Sequence, residues 1–329
     1  MKIVVDAMGS DQNPAPDVEG GVMAAREFGD EIILVGDQKK IEAELAKHDT
    51  AGLKVTVRHA KEAVVMTDKP RDVVRGKPES SMHVGTALVK TGEADAFVTA
   101  GNTGAALAIA MLKTLRRIKG VKRPALGVLF PTPDHPLLID NGANADCTPD
   151  QLLQFAIMGS LYVGRMKKLK SPRVALISNG EEEGKGNVLI QDTIPLLKAS
   201  GLNYIGNIEP KEFMYGEADV GVTDGFVGNI MMKTAEATAR LLADTIRTEI
   251  KANPLSAMGG LLIRSAMKRV SKQLDPHEVG GAPLLGLDGV VIVGHGRSNA
   301  YAIKQAVGQA RRVVEADVVQ AIRDGLGTE

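Results

Sequence analysis

Short apolar runs rich in β-branched residues recur at 3–5, 32–35, 53–57, 96–99, 126–130, 137–139, 174–177 and 290–293. Runs this short, bounded by turn-forming residues, predict strands buried on both faces. Between them, apolar residues fall at helical spacing over 38–47, 105–117, 151–166 and 188–199. The alternation predicts an α/β fold with a mainly parallel sheet flanked by helices. In such folds ligands sit beyond the carboxyl ends of strands, so the Gly-rich strand-to-helix loops are the places to search. The rhythm changes at 228–251 and 255–274, where two long helical stretches separated by Asn253-Pro254 predict a protruding helical pair. The chain carries no linker, repeat or low-complexity tract, and 1–329 is read as a single domain of one or two lobes.

The second of these stretches is amphipathic. Projected at about 100° per residue, Leu255, Met258, Leu262, Ile263, Ala266, Met267, Val270 and Leu274 share one half of the helix, and Arg264, Lys268 and Lys272 fall opposite. The pattern suits a helix lying on an anionic bilayer, with Leu255, Met258, Leu262, Ile263, Met267 and Lys268 at the contact. It suits equally a helix whose apolar half packs in a dimer or against the body. No run of about 18 apolar residues predicts a spanning helix, and the amino terminus lacks the apolar stretch of a secretory signal. With the single Cys147, these features point to a cytosolic protein met by the membrane from outside.

Forty basic and 40 acidic side chains leave no general attraction for nucleic acid. One cysteine excludes an internal disulfide and a Cys-rich zinc cluster, and the six histidines show no H-E-x-x-H spacing, so no metal is expected. The candidate chemistry lies in loops. Gly101-Asn102-Thr103-Gly104 follows a strand and opens a helix, so outward amides, a capping side chain and the helix dipole all favour phosphate there; an ordinary capped turn has the same signature. Ser81 and His83 begin another helix, where a lone His is more often structural. Further loops carry Asp140 and Asn144, Lys185 and Asn187, Asp224 and Asn229, and finally His295, Arg297 and Ser298. Lys185, flanked by Gly184 and Gly186, can approach an anion without steric hindrance. Asp224 suits a helix cap or a group that orients a reactant. A dinucleotide fingerprint, a P-loop and a G-x-S-x-G elbow are all missing, which disfavours nucleotide-dependent and serine-hydrolase chemistry.

Taken together, Asp6-Ala7-Met8-Gly9 with Asp11 and Pro14, the segments 100–105, 140–144, 180–187 and 224–229, and Gly280-Gly281-Ala282-Pro283-Leu284-Leu285-Gly286 resemble the phosphate acyltransferase (PlsX) family over nearly the whole chain. The resemblance implies a fold related to phosphotransacetylases and a homodimer. It implies transfer of a long-chain acyl group from acyl carrier protein to inorganic phosphate, without a cofactor. The acyl phosphate would feed a membrane glycerol-phosphate acyltransferase in phospholipid synthesis. On this reading Ser81, His83, Gly101, Asn102, Thr103, Gly104 and Lys185 hold phosphate. Lys185, Asp224, Asn229, His295 and Ser298 carry the chemistry, and Asp6, Gly9, Asp140, Asn144 and Asn187 complete the pocket. The basic face of 255–274 is then an alternative landing site for the acidic carrier protein. Three places depart from the family pattern: Ser10 stands where a second Gly usually follows Met-Gly, Thr99 replaces a Ser, and Pro210-Lys211-Glu212 replaces a Gly-Arg-Asp type stretch. Competing readings are a coenzyme A-dependent phosphotransacetylase-like enzyme, a non-catalytic membrane-surface scaffold and, more distantly, a nicotinamide dehydrogenase.

Overall fold

A computed structural model describes residues 1–273, 278 and 280–326. In chain order the strands are β1 (Lys2–Asp6), β2 (Glu31–Gly36), β3 (Val55–His59), β4 (Ala96–Thr99), β5 (Ala125–Leu126), β6 (Val128–Leu129), β7 (Leu137–Ile139), β8 (Val174–Ile177), β9 (Tyr204–Ile208), β10 (Val220–Val222), β11 (Ala282–Leu285) and β12 (Val290–Val293). The helices are α1 (Ala15–Phe28), α2 (Gln38–Leu45), α3 (Pro70–Gly76), α4 (Ser81–Lys90), α5 (Thr103–Leu112), α6 (Pro149–Lys167), α7 (Val188–Ala199), α8 (Pro210–Met214), α9 (Gly225–Lys251), α10 (Pro254–Gln273), α11 (Ala300–Glu315) and α12 (Val318–Leu326).

The strands form two sheets, in the orders β3-β2-β1-β4-β12-β11-β5 and β6-β7-β10-β8-β9. Neighbours in β3-β2-β1-β4-β12 and in β7-β10-β8-β9 are parallel, and their connections run through helices. The antiparallel strands β11, β5 and β6 lie where the two sheets approach each other. The stretch 126–130, expected as one strand, is two: β5 closes the first sheet and β6 the second. Gly127 makes the transition, its amide donating to the Pro283 carbonyl at 3.0 Å. An ideal Cβ there would stand 3.1 Å from Leu137, so the turn accommodates little more than glycine.

One hydrophobic cluster runs through both halves, combining Ile3, Val5 and Ile32 of the first sheet with Ile139, Val174 and Val220 of the second. At about 25 cal/mol per Å² of apolar surface removed from water, this shared core joins the sheets into one body. A second cluster fills the other face of the first sheet under α3, α4 and α5. The third covers the outer face of the second sheet, where Phe130 meets Phe213 edge-on at 5.6 Å and Met231 and Met232 root α9.

Beyond that root, α9 leaves the body and α10 folds back along it. Asn253 turns the chain, its side chain accepting from the Ser256 amide at 2.8 Å. Gly260 permits close approach, since an ideal Cβ there would lie 2.4 Å from Ile250. Among the described side chains of α10 none is buried, and Leu262 is 85% exposed. The apolar half expected from the sequence is therefore uncovered within this chain, although Leu274, assigned to it, lies outside the described residues. No helix among the described residues is long and apolar enough to cross a membrane.

Candidate active site

Three parallel strands of the first sheet, β1, β4 and β12, deliver their loops to one end. Asp6, at the end of β1, is fully buried and accepts from the Thr99 hydroxyl at 2.8 Å and the Met8 amide at 3.1 Å. Burial pushes its carboxyl up, and the nearby Ser81 hydroxyl and the hydrogen bonds from Thr99 and Met8 oppose the shift. Gly9 then packs on the β4 loop, because an ideal Cβ there would stand 3.0 Å from the amides of both Ala100 and Gly101. The β12 loop joins them: the Gly294 amide donates to the Thr99 carbonyl and the Asp11 amide to the Gly296 carbonyl, each at 2.7 Å. Ser298 is buried in this loop, and its amide donates to the His295 carbonyl at 2.9 Å. Asn102 caps α5, accepting from the Ala105 amide at 3.0 Å while its amide group donates to the carbonyls of Met66 and Asp68. The first turn of α5, with Thr103 and Gly104, is thereby held with its positive end half-buried.

The second sheet contributes a tighter knot. Asp140, after β7, is fully buried and accepts from the amides of Leu126 (2.8 Å), Ala143 (3.2 Å) and Asn144 (2.6 Å) and from the Asn144 side chain (3.0 Å). Asn144 also donates to the Pro124 carbonyl at 2.8 Å. Against this knot stands α9, whose Gly225 and Gly228 have no room for a side chain: an ideal Cβ on Gly228 would sit 2.0 Å from the Asp140 carbonyl oxygen. Asp224 caps α9 through the Val227 amide at 2.8 Å, and Asn229 faces Gly142.

Between the two sets of loops lies a cleft with about 630 Å³ of empty space, part of it open to solvent. Its polar end presents Thr103, Gly294 and His295, and its apolar wall Leu126, Val128, Leu129, Pro131 and Met232, with the Asn141 amide donating to the Leu126 carbonyl at 2.9 Å. Asn141 Oδ1 is buried without a hydrogen-bond partner among the described residues. Glu236 of α9 reaches across to the β12 loop, meeting Arg297 at 3.0 Å and His295 at 3.8 Å. Burial pushes the Cys147 thiol up to about 12, which disfavours a thiolate there.

Comparison with known proteins decides the family. The profile described as "Fatty acid synthesis protein" matches residues 1–321. The phosphate acyltransferase of Geobacter sulfurreducens is 46% identical over 330 residues, covering 100% of this chain and 95% of that protein. This chain belongs to the phosphate acyltransferase family. It is thus an acyltransferase. The fold is shared with a phosphotransacetylase from Streptococcus pyogenes (TM-score 0.61, 18% identity, 97% of this chain and 94% of that one). It is shared as well with a 4-hydroxythreonine-4-phosphate dehydrogenase from Klebsiella pneumoniae (TM-score 0.55, 13% identity, 95% of this chain and 99% of that one).

In this family member the cleft gathers Thr103 and His295, with Gly101, Asn102, Gly104 and Ser298 directly behind them. Asp6, Gly9, Asp140, Asn144 and Asp224 hold the loops in place, their polar atoms largely spent on the protein itself. Lys185 lies in the loop after β8, where its carbonyl accepts from the Asn207 side chain at 3.3 Å, and it is not among the residues that line this cleft. Asn187 of the same loop caps α7 through the Ile190 amide at 3.0 Å. His83 is not among the residues that line the cleft: Nδ1 meets the Ser80 hydroxyl at 2.9 Å, Nε2 is buried without a hydrogen-bond partner among the described residues, and burial pulls its pKa down. Its helix neighbour Ser81 instead faces Asp6. Sequence reading missed Asn141, in the loop after β7, and Met232 and Glu236, which line the cleft because α9 reaches the β12 loop.

Proposed function

We propose that this chain transfers a long-chain acyl group from acyl carrier protein to inorganic phosphate, and that the reaction occurs in the cleft between the sheets. The observation that carries the reading is the division of that cleft: the amino terminus of α5 and His295 at one end, an apolar wall from Leu126 to Met232 at the other. A phosphate dianion belongs at the first and an acyl chain along the second. A phosphate oxygen then attacks the thioester carbonyl, a tetrahedral oxyanion forms, and its collapse breaks the carbon–sulfur bond to give acyl phosphate and thiolate. Phosphate is itself the nucleophile, so the protein supplies proximity and fixed donors. Thr103, the first amides of α5 and His295 are the donors at that end of the cleft.

The uncovered apolar face of α10, with Arg264, Lys268, Arg269 and Lys272 beside it, supports peripheral attachment to an anionic membrane. The lipophilic product would there be released next to a membrane glycerol-phosphate acyltransferase. Homodimerisation is part of the same proposal, resting on family likeness.

The test is thiol release from a long-chain acyl carrier protein thioester with and without inorganic phosphate, beside the matching coenzyme A thioester. Phosphate-dependent release from the carrier-protein donor is expected. Release from coenzyme A alone would move the assignment to a phosphotransacetylase-type donor, and no release from either would leave a scaffold role.

A further inference from the structure

Ser10 and Asp17 form a buried pair behind the phosphate end of the cleft. The Ser10 hydroxyl donates to Asp17 Oδ2 at 2.5 Å, and the two residues are 2% and 0% exposed. Asp17 Oδ1 has no partner among the described residues. An acid in this position is costly. It lies in the first turn of α1 beside Val18, near the buried Asp6, and burial lifts its pKa to about 7, the Ser10 bond opposing and the Asp6 charge adding to the rise. An aliphatic side chain would fill the same space without that cost.

What the pair holds is specific. Ser10 is bracketed by Gly9, which packs on the amides of Ala100 and Gly101, and by Asp11, whose amide donates to the Gly296 carbonyl. Its own carbonyl is held by the Asn13 side chain at 2.7 Å. Ser10, which anchors the β1 loop to α1, therefore stands between the contacts that set the β4 loop and the β12 loop, which meet at the polar end of the cleft.

We propose that Ser10 and Asp17 are positioning residues for phosphate: their buried hydrogen bond fixes the β1 loop, and through it the spacing between the α5 amino terminus and the His295 loop. The inference rests on phosphate being bound at that end of the cleft. Neither residue touches substrate.

The experiment is steady-state kinetics of the full chain with Ser10→Ala, Asp17→Val, the double variant and Asp17→Asn, varying phosphate and acyl thioester separately. Ser10→Ala and Asp17→Val should each raise the phosphate KM about tenfold and leave the thioester KM within about twofold, since about 1.4 kcal/mol is a factor of ten. The double variant should be no worse than the worse single one, because both remove one bond. Asp17→Asn keeps an acceptor for the Ser10 hydroxyl and should restore the phosphate KM to within about twofold of wild type. An unchanged phosphate KM in Ser10→Ala, a variant lacking only one oxygen, overturns the proposal even where Asp17→Val fails to fold. Equal losses for both substrates, or Asp17→Asn behaving like Asp17→Val, also overturn it, because they mark a merely structural pair. Thiol release independent of phosphate in wild type would overturn the underlying assignment, and this one with it.

Discussion

At the scale of single residues, capping and binding draw on the same side chains. Asn102, Asn187 and Asp224 each follow a strand and open a helix, and each spends an oxygen on the amide three residues ahead. A polar residue at that place in a sequence predicts a satisfied helix start as well as an anion site. Position separates the two here, since Thr103 lines the cleft and Lys185 is not among its lining residues. Lys185→Ala is therefore expected to leave the phosphate KM within about twofold of wild type. His295→Ala should raise it about tenfold or more, the cost of one hydrogen bond to a charged group being about 1.5–3 kcal/mol. Phosphate titrations of the two variants check both, and the opposite ranking would return the anion to the β8 loop. Thr103 and His295 were legible because glycine-rich loops after strands mark ligand sites in α/β folds. Asn141 was obscured by Asp140 and Asn144, whose atoms turn out to be committed to the loop itself.

At the scale of elements, apolar runs located β1, β4, β8 and β12 well, but passed over β10 and β11, which are short and equally buried. They failed at β9, a partly exposed edge strand, and at 126–130, where Gly127 passes the chain from one sheet to the other. Gly225 and Gly228 read as weak helix formers in sequence, yet they let α9 close on the Asp140 loop. The amphipathic pattern of α10 was legible because it is a periodicity, whereas its partner is not written in the chain. Leu262, 85% exposed on that helix, belongs to the apolar half. Placing a charge there should abolish membrane association without touching the core. Leu262→Glu is expected to lose flotation with anionic liposomes while keeping its turnover of a soluble thioester. Equal flotation of the variant and wild type would assign the apolar face to a protein contact instead.

At the scale of the whole molecule, the two sheets are fastened on one side by the continuous core and by Asp140 gripping the Leu126 amide. Across the cleft mouth the contact is of another kind. Glu236 belongs to α9, rooted on the second sheet, while Arg297 and His295 belong to the first. Arg297 and His295 are both about half exposed, so the Arg297–Glu236 pair is worth only about 0.2–1 kcal/mol and forms a reversible tie. A phosphate dianion at the α5 amino terminus would compete with the Glu236 carboxylate for the same charges. Glu236→Gln should therefore lower the phosphate KM by up to about fivefold, the upper limit set by about 1 kcal/mol for such a pair. The gain should shrink as ionic strength rises, because exposed charges are screened over about 10 Å at 0.1 M salt. Thermal unfolding should shift little, since the core and not the ion pair joins the halves. Initial rates against phosphate at low and high salt measure the effect directly. A raised phosphate KM would show instead that Glu236 holds Arg297 and His295 ready for the anion, and the cleft would then need both halves in contact before phosphate can bind.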